Sequence, residues 1–387
     1  MPTLAVVNIG CLISGDLETG LIEADTLLIE NGHFSQIGHR SEIDLSRAEQ
    51  MLDAQGCTVA PGLIDSHVHI VFGDWTPRQN TLGWIESYMH GGITGMMSAS
   101  EVHLPGVPKD PVGVKALAIA AQRAYATYRP GGVKVYAGSV IFQPGLTEAD
   151  FAEMASAGVW LGKVGFGDFA KPTEAEPLVR LAQKHGFKVM CHTGGASIPG
   201  SAPVTAEDLL VLQPDISGHT NGGTTALPDE GLELLVRQAD FALQISQAGN
   251  IRSAVKLVNL AREHEQLHRI LISSDTPSGT GVMPMGTLKS VVEMSTLTGL
   301  PAEQAWALAC GNNADVLETN TGRIEVGRAA DLLVMDAPLG CVKDTALAAI
   351  ENGDLPGISC VIIDGEIRAM KSRNTPAATR MARLGHS

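Results

Sequence analysis

Apolar and polar residues alternate in short blocks over the first sixty positions, in Leu4–Ile9, Asp25–Glu30 and Phe34–Ile37, with Asn31-Gly32 as a hairpin signal. The signal returns near the C-terminus in Asp331–Asp336 and Ile358–Ile363, with Asp364-Gly365 as another turn. Between these regions the pattern changes to eight apolar, strand-like runs: Leu63–Ile70, Ile93–Ser98, Val133–Ile141, Trp160–Gly165, Phe187–His192, Ile216–His219, Phe241–Ile245 and Ile270–Ser274. Stretches with helical spacing separate them, among them Val114–Tyr128, Glu174–His185, Asp229–Gln238 and Ser253–His264. Thr147 with Asp150 offers a capping-box start, and Gly186 marks a helix end. Eight β/α units predict an α/β fold built on a (β/α)8 TIM-type barrel over residues 61–320, with its chemistry at the C-terminal ends of the strands. The two β-rich ends, 1–60 and 321–387, predict one small discontinuous β-sandwich domain. The tail from Lys371 to Ser387, basic and rich in small residues, reads as loose or partner-dependent.

Composition sharpens this picture. A chain of 387 residues suits a large catalytic domain plus a smaller one, and 44% hydrophobic residues suffice for a sizeable core. No uninterrupted apolar run is long enough to span a bilayer, so no membrane association is expected. Met1 to Gly10 lacks the features of a secretory signal, which points to the cytoplasm. Cys11, Cys57, Cys191, Cys310, Cys341 and Cys360 are scattered without a CxxC pair, as buried free thiols are. A formal net charge of −15 argues against nucleic-acid binding, and any anionic substrate must be captured by a local cationic site.

The candidate chemistry lies at the ends of five of the eight runs, where His67, His69, Lys163, His192, His219 and Asp275 fall. Imidazole and carboxylate suit zinc-like or iron-like ions, and a strand places His67 and His69 on one face. A lone His at a strand end is more often a satisfied structural residue, the reading given to His33, His39, His90, His103, His185, His264, His268 and His386. Lys163 lies between Trp160 and Phe166 in an apolar strand, where an unpaired ammonium is costly. Asp275 alone could be a helix cap or an Asx-turn before Pro277. In chain order with the other five it reads as a catalytic acid.

The segment Pro61-Gly62-Leu63-Ile64-Asp65-Ser66-His67-Val68-His69 resembles the first-strand signature of the amidohydrolase superfamily, and Gly327-Arg328-Ala329-Ala330-Asp331-Leu332 resembles its return into the small β-domain. The resemblance implies two divalent metal ions, zinc or iron: His67 and His69 on the more buried one, His192 and His219 on the more exposed one. Lys163 would bridge both as a carbamate, and Asp275 would bind the buried metal and handle the proton of the attacking water. Thr76-Pro77-Arg78-Gln79, His192-Thr193-Gly194-Gly195, His219-Thr220-Asn221-Gly222-Gly223 and Asp275-Thr276-Pro277-Ser278-Gly279 narrow it to members that open a carboxylated cyclic enamide. That implies hydrolysis of 1,4,5,6-tetrahydro-6-oxonicotinate, a small anionic cyclic amide of nicotinate degradation, to 2-formylglutarate and ammonia, by a homo-oligomer, a tetramer in the family.

Arg78 is the candidate for the substrate carboxylate; alternatively it pairs with Asp74 or Glu86 to hold its loop. Asn221 and Ser278 are hydrogen-bonding candidates for the substrate that equally suit turns. Hydantoinase-like or dihydropyrimidinase-like cyclic amidases and isoaspartyl-type dipeptidases would share all six ligands. A mononuclear deaminase would leave Lys163 without a metal role, and a non-catalytic relative would have no reason to keep the set.

Overall fold

The computed structural model describes residues 2–70, 83–101, 106–196, 202–223, 225–277 and 281–385. All eight expected runs are strands: β1 (Leu63–Val68), β2 (Ile93–Ser98), β3 in two segments (Lys134–Tyr136 and Ser139–Ile141), β4 (Leu161–Val164), β5 (Lys188–His192), β6 (Ile216–Gly218), β7 (Ala242–Ser246) and β8 (Ile270–Ser273). They pair in parallel as two arcs, β1 with β2 and the first part of β3, then the second part of β3 through to β8. Helices lie between the strands with ordinary starts. Asp110 caps Pro111–Tyr125 by accepting from the Gly113 N–H, and Asn250 caps Ile251–Glu263 through Ser253. Thr147 donates its N–H to Asp150 at 2.9 Å, the expected capping box of Glu148–Ser156.

Two seams join the arcs. At the first, β3 breaks at Ala137-Gly138, where Gly138 has φ +98°, and the freed N–H groups of Gly138 and Ser139 donate to Glu101 at 2.6 and 2.8 Å. At the second, β8 meets β1. The Asp275 N–H donates to the His67 carbonyl at 3.0 Å near the C-terminal ends of the strands. Deeper in, the Asn313 amide spans the seam, donating to Ile64 O at 3.3 Å and Ile272 O at 3.1 Å.

The chain ends form a β-sandwich, as expected. One sheet runs in the order Arg383–Gly385, Gln50–Asp53, Leu4–Val7, Thr26–Glu30, His33–Gly38; the other runs Glu366–Ala369, Gly357–Ile363, Leu332–Asp336, Thr58–Pro61, Cys11–Ile13, Leu21–Ile22. Period-two alternation sends Leu4 and Val6 into the shared core with Leu27, Phe34, Val59, Leu332 and Ile362, while Ala5 and Val7 pack on the opposite face with Leu28 and Ile43. The six cysteines are free thiols. Among the described residues, no helix is long and apolar enough to cross a membrane.

The tail departs from the looseness expected of it. Arg383–Gly385 adds a strand to Gln50–Asp53, and the Arg380 guanidinium forks onto Asp336 at 2.8 and 2.7 Å. Ser372 donates to His90 O at 2.6 Å and Asn374 to Ser87 O at 2.7 Å, so the segment straps down the helix Trp84–His90. Composition assigns these polar residues no partner, because each partner lies far away in the chain.

Barrel and sandwich share a buried ion cluster. Lys134 on β3 donates to both Asp331 oxygens at 2.5 Å and reaches Asp364 at 2.7 Å. Burial pushes the Asp331 carboxyl above its ordinary range, against the pull of the Lys134 ammonium. Lys134→Met should therefore lower the free energy of unfolding by about 3–5 kcal/mol in urea titrations, because it leaves a buried carboxylate uncompensated. A loss of under about 1 kcal/mol would place this cluster among the weak surface pairs.

Candidate metal centre

The six ligand-type side chains converge at the C-terminal mouth of the barrel. His67 is the penultimate residue of β1 and His69 lies just past its end, with the two ring centroids 5.4 Å apart. Asp275, just past β8, adopts φ +57° and is held there by its own N–H on His67 O. Its neighbour Ser274 donates an N–H to Asp65 at 3.0 Å, and Asp65 also accepts from the Thr287 hydroxyl at 3.0 Å. The Asp275 Oδ1 consequently lies 3.2 Å from His67 Nε2 and 3.0 Å from His69 Nε2, and one ligand atom from each of the three fits within a 4.8 Å span.

Lys163 projects from β4 with Nζ 3.4 Å from His67 Nε2 and 3.3 Å from Met190 Sδ, and it is fully buried. His192 ends β5 and His219 follows β6, with His192 Nδ1 and His219 Nε2 3.1 Å apart. His192 Nε2 is held by Gly195 O at 3.0 Å, and the His219 ring stacks on His67 with centroids 5.3 Å apart. All six expected ligands are thus brought together, with Lys163 and His67 standing between the Asp275 side and the His192–His219 side.

Burial sets their protonation. It holds the His67 and His219 imidazoles well below their usual range and pushes His192 down to about 4, so near neutral pH the rings are uncharged and carry ligand lone pairs. Burial also lowers the Lys163 amine to about 8, although the Asp275 carboxylate pulls the other way. The donor set suits cations. Among the described residues the His219 Nδ1 is buried without a hydrogen-bond partner, and the Nε2 atoms of His67 and His69 converge on one carboxylate oxygen of Asp275. A cation between them would take both ring nitrogens and the carboxylate as ligands.

Arg78 and Ser278 lie outside the described residues. Asn221 is buried, and its amide is engaged with the scaffold: it donates to Ser246 O at 3.0 Å and Asn250 O at 3.3 Å and accepts from the Ser246 N–H at 2.9 Å. It clamps the loop after β6 onto the end of β7. His90, read as a bystander, receives the tail strap.

Two groups behind the ligands were not singled out from the sequence. Gln244 on β7 lies 2.6 Å from His67 Nδ1, and the Ser100 hydroxyl lies 3.3 Å from His69 Nδ1. A glutamine inside the apolar run Phe241–Ile245 was the available signal for the first; Ser100, past the end of β2, offered none.

Comparison with known proteins agrees with this geometry. Residues 150–368 match the Amidohydrolase family, a span that includes Lys163, His192, His219 and Asp275. The chain is 46% identical over 385 residues to an enamidase of Eubacterium barkeri, covering 99% of this chain and 100% of the relative. It superposes on a crystal structure of enamidase with a TM-score of 0.95, over 99% of this chain and 100% of that one. A D-hydantoinase structure, 16% identical with a TM-score of 0.69 over 95% of each chain, shares the fold. An imidazolonepropionase of Chromobacterium violaceum is 23% identical over 374 residues, 82% of this chain and 86% of the relative. A family match over more than half of the chain, joined to a relative similar along its whole length, makes this protein a member of the amidohydrolase family.

Proposed function

We propose that this chain is an enamidase-like cyclic amidase, which adds water across the ring C–N bond of 1,4,5,6-tetrahydro-6-oxonicotinate and leads to 2-formylglutarate and ammonia. The observation that carries the reading is the convergence of four imidazoles, Lys163 and Asp275 at the mouth of the barrel, in a chain that matches an enamidase from end to end. In this reading His67, His69 and Asp275 would hold one divalent ion, His192 and His219 would hold a second, and Lys163 would serve both. The bound ions supply Lewis acidity toward the amide carbonyl and acidify the hydrolytic water.

Lys163 suits the bridge because its low-lying amine pKa leaves a neutral nitrogen available to combine with carbon dioxide. The resulting carbamate supplies two anionic oxygens in place of a cation that two metals would repel. Asp275 Oδ1 accepts the proton of the attacking water and delivers it to the departing ring nitrogen. The amide C–N bond breaks as the new C–O bond forms, leaving a carboxylate and an enamine. The enamine tautomerises to an imine, and a second water releases ammonia and the aldehyde. Arg78, which follows His67 and His69 in the chain, pairs with the substrate carboxylate through its planar guanidinium.

Purified protein with defined metal content, assayed on the oxotetrahydronicotinate beside hydantoin, dihydrouracil and an isoaspartyl dipeptide, tests the substrate. Turnover of the lactam is expected to dominate, and preference for either ureide or for the dipeptide would overturn this reading.

Four variants at three positions probe the chemistry. Lys163→Ala should lose metal and activity, with activity partly restored by short carboxylic acids that fill the gap, while Lys163→Glu should keep part of its metal; an active wild-type protein with an unmodified Lys163 would remove the carbamate. Asp275→Asn should keep the fold and lose about 10²–10⁴-fold in kcat, since an amide cannot take up the proton; near-normal turnover would move proton transfer elsewhere. Arg78→Ala should lose about 1–3 kcal/mol of binding on the carboxylated lactam and little on the same ring without the carboxylate. An equal loss on both rings would make Arg78 a loop residue.

A further inference from the structure

Gln244 lies at the centre of the ligand cluster without being a ligand. It sits on β7, fully buried, among the apolar residues of that strand. Both ends of its amide are engaged by groups whose roles are fixed. The Nε2 end donates to Ser66 Oγ at 2.8 Å and lies 3.4 Å from Ser66 O, and a backbone carbonyl can only accept. The Oε1 end lies 3.3 Å from the His219 backbone N–H, which can only donate. Turning the amide over would put two donors against each other at one end and two acceptors at the other, so the side-chain orientation is determined by its surroundings.

The same Oε1 lies 2.6 Å from His67 Nδ1. An amide oxygen can only accept, as can the Asp275 carboxylate 3.2 Å from Nε2, so the two compete for the His67 proton; the shorter contact to Gln244, with the Lys163 Nζ as a donor 3.4 Å from Nε2, places the proton on Nδ1 and the lone pair on Nε2. The Nε2 is the atom facing Asp275 and Lys163. At His69 the group behind Nδ1 imposes no such choice, because the Ser100 hydroxyl can donate or accept, while Nε2 again faces the Asp275 carboxylate at 3.0 Å.

We infer that Gln244 is a positioning residue that fixes the Nδ1–H tautomer of His67 and ties this ring on β1 to the backbone of His219 beyond β6, so that residues assigned to two different ions are set by one amide. The inference rests on the metal-centre reading for its purpose, but the tautomer itself is a property of the metal-free chain. A buried acceptor behind a ligating imidazole both orients the ring and raises its basicity, and removing such a partner weakens metal binding by about tenfold to a hundredfold.

The test uses metal-free protein labelled with 15N in its histidines, the His67 signals being assigned by their absence from His67→Ala. In the wild type the shifts should report a protonated Nδ1 and an unprotonated Nε2. In Gln244→Met that preference should be lost, and zinc affinity measured by chelator competition should fall about tenfold to a hundredfold; Gln244→Glu, which keeps an acceptor, should restore both.

A wild-type His67 protonated on Nε2 would overturn the assignment, whatever the variants do. So would Gln244→Met that keeps the tautomer and binds zinc within about twofold of wild type. Wild-type protein that takes up no zinc while His67 carries its proton on Nδ1 would sink the metal reading and leave the tautomer assignment standing.

Discussion

The hydrogen bond from the Asp275 N–H to the His67 carbonyl does two things at once. It joins the last strand of the barrel to the first, and it sets the Asp275 carboxylate against the rings of His67 and His69, with 206 residues separating Asp275 from His69 in the chain. Barrel closure and assembly of the ligand set are therefore one geometric event. Around that bond the seam is reinforced by contacts of modest strength: Ser274 on Asp65, Thr287 on Asp65, and Asn313 on the carbonyls of Ile64 and Ile272. Each satisfies a backbone or carboxyl group that would otherwise be buried without a partner.

This arrangement places unfavourable electrostatics where the chemistry is. Burial strips the His67 and His219 imidazoles and the Lys163 amine of the water that would stabilise their charged forms. The rest of the fold carries that cost. The strands are packed on continuous apolar residues, and the sandwich is joined to the barrel by the Lys134, Asp331 and Asp364 cluster and by the tail.

Much of this was legible in the sequence for an identifiable reason. Barrel strands are covered on both sides, so their residues are apolar almost throughout and all eight stood out as runs. The His67–His69 pair was legible because an i, i+2 spacing on a strand has one geometric meaning. The unread features depend on partners that spacing cannot reveal. The break in β3 is invisible until Glu101 is seen to accept from Gly138 and Ser139, since Val133–Ile141 reads as one strand. The tail looked loose because a basic, small-residue composition gives no hint of Asp336, Ser87 or His90 waiting elsewhere. Asn221 looked like a substrate contact because a glycine-rich loop after a ligand suggests a pocket, whereas its amide is engaged by β7 and the Asn250 turn. Gln244 was hidden inside an apolar run, and only the fold shows which atoms face it.

The strap formed by Ser372 and Asn374 has a consequence for the order in which the protein comes into being. It fastens the helix Trp84–His90, which follows closely on the histidine pair of β1, using residues near the far end of the chain. Synthesis runs from the N-terminus, so a nascent chain exposes His67 and His69 long before Asp275 exists, and has its first helix unfastened until Ser372 and Asn374 emerge. During translation the early histidines are therefore present without the Asp275 carboxylate, Lys163 and the strap that surround them in the folded chain. Fastening of the helix that follows the first two histidines is thereby deferred until the polypeptide is almost entirely made.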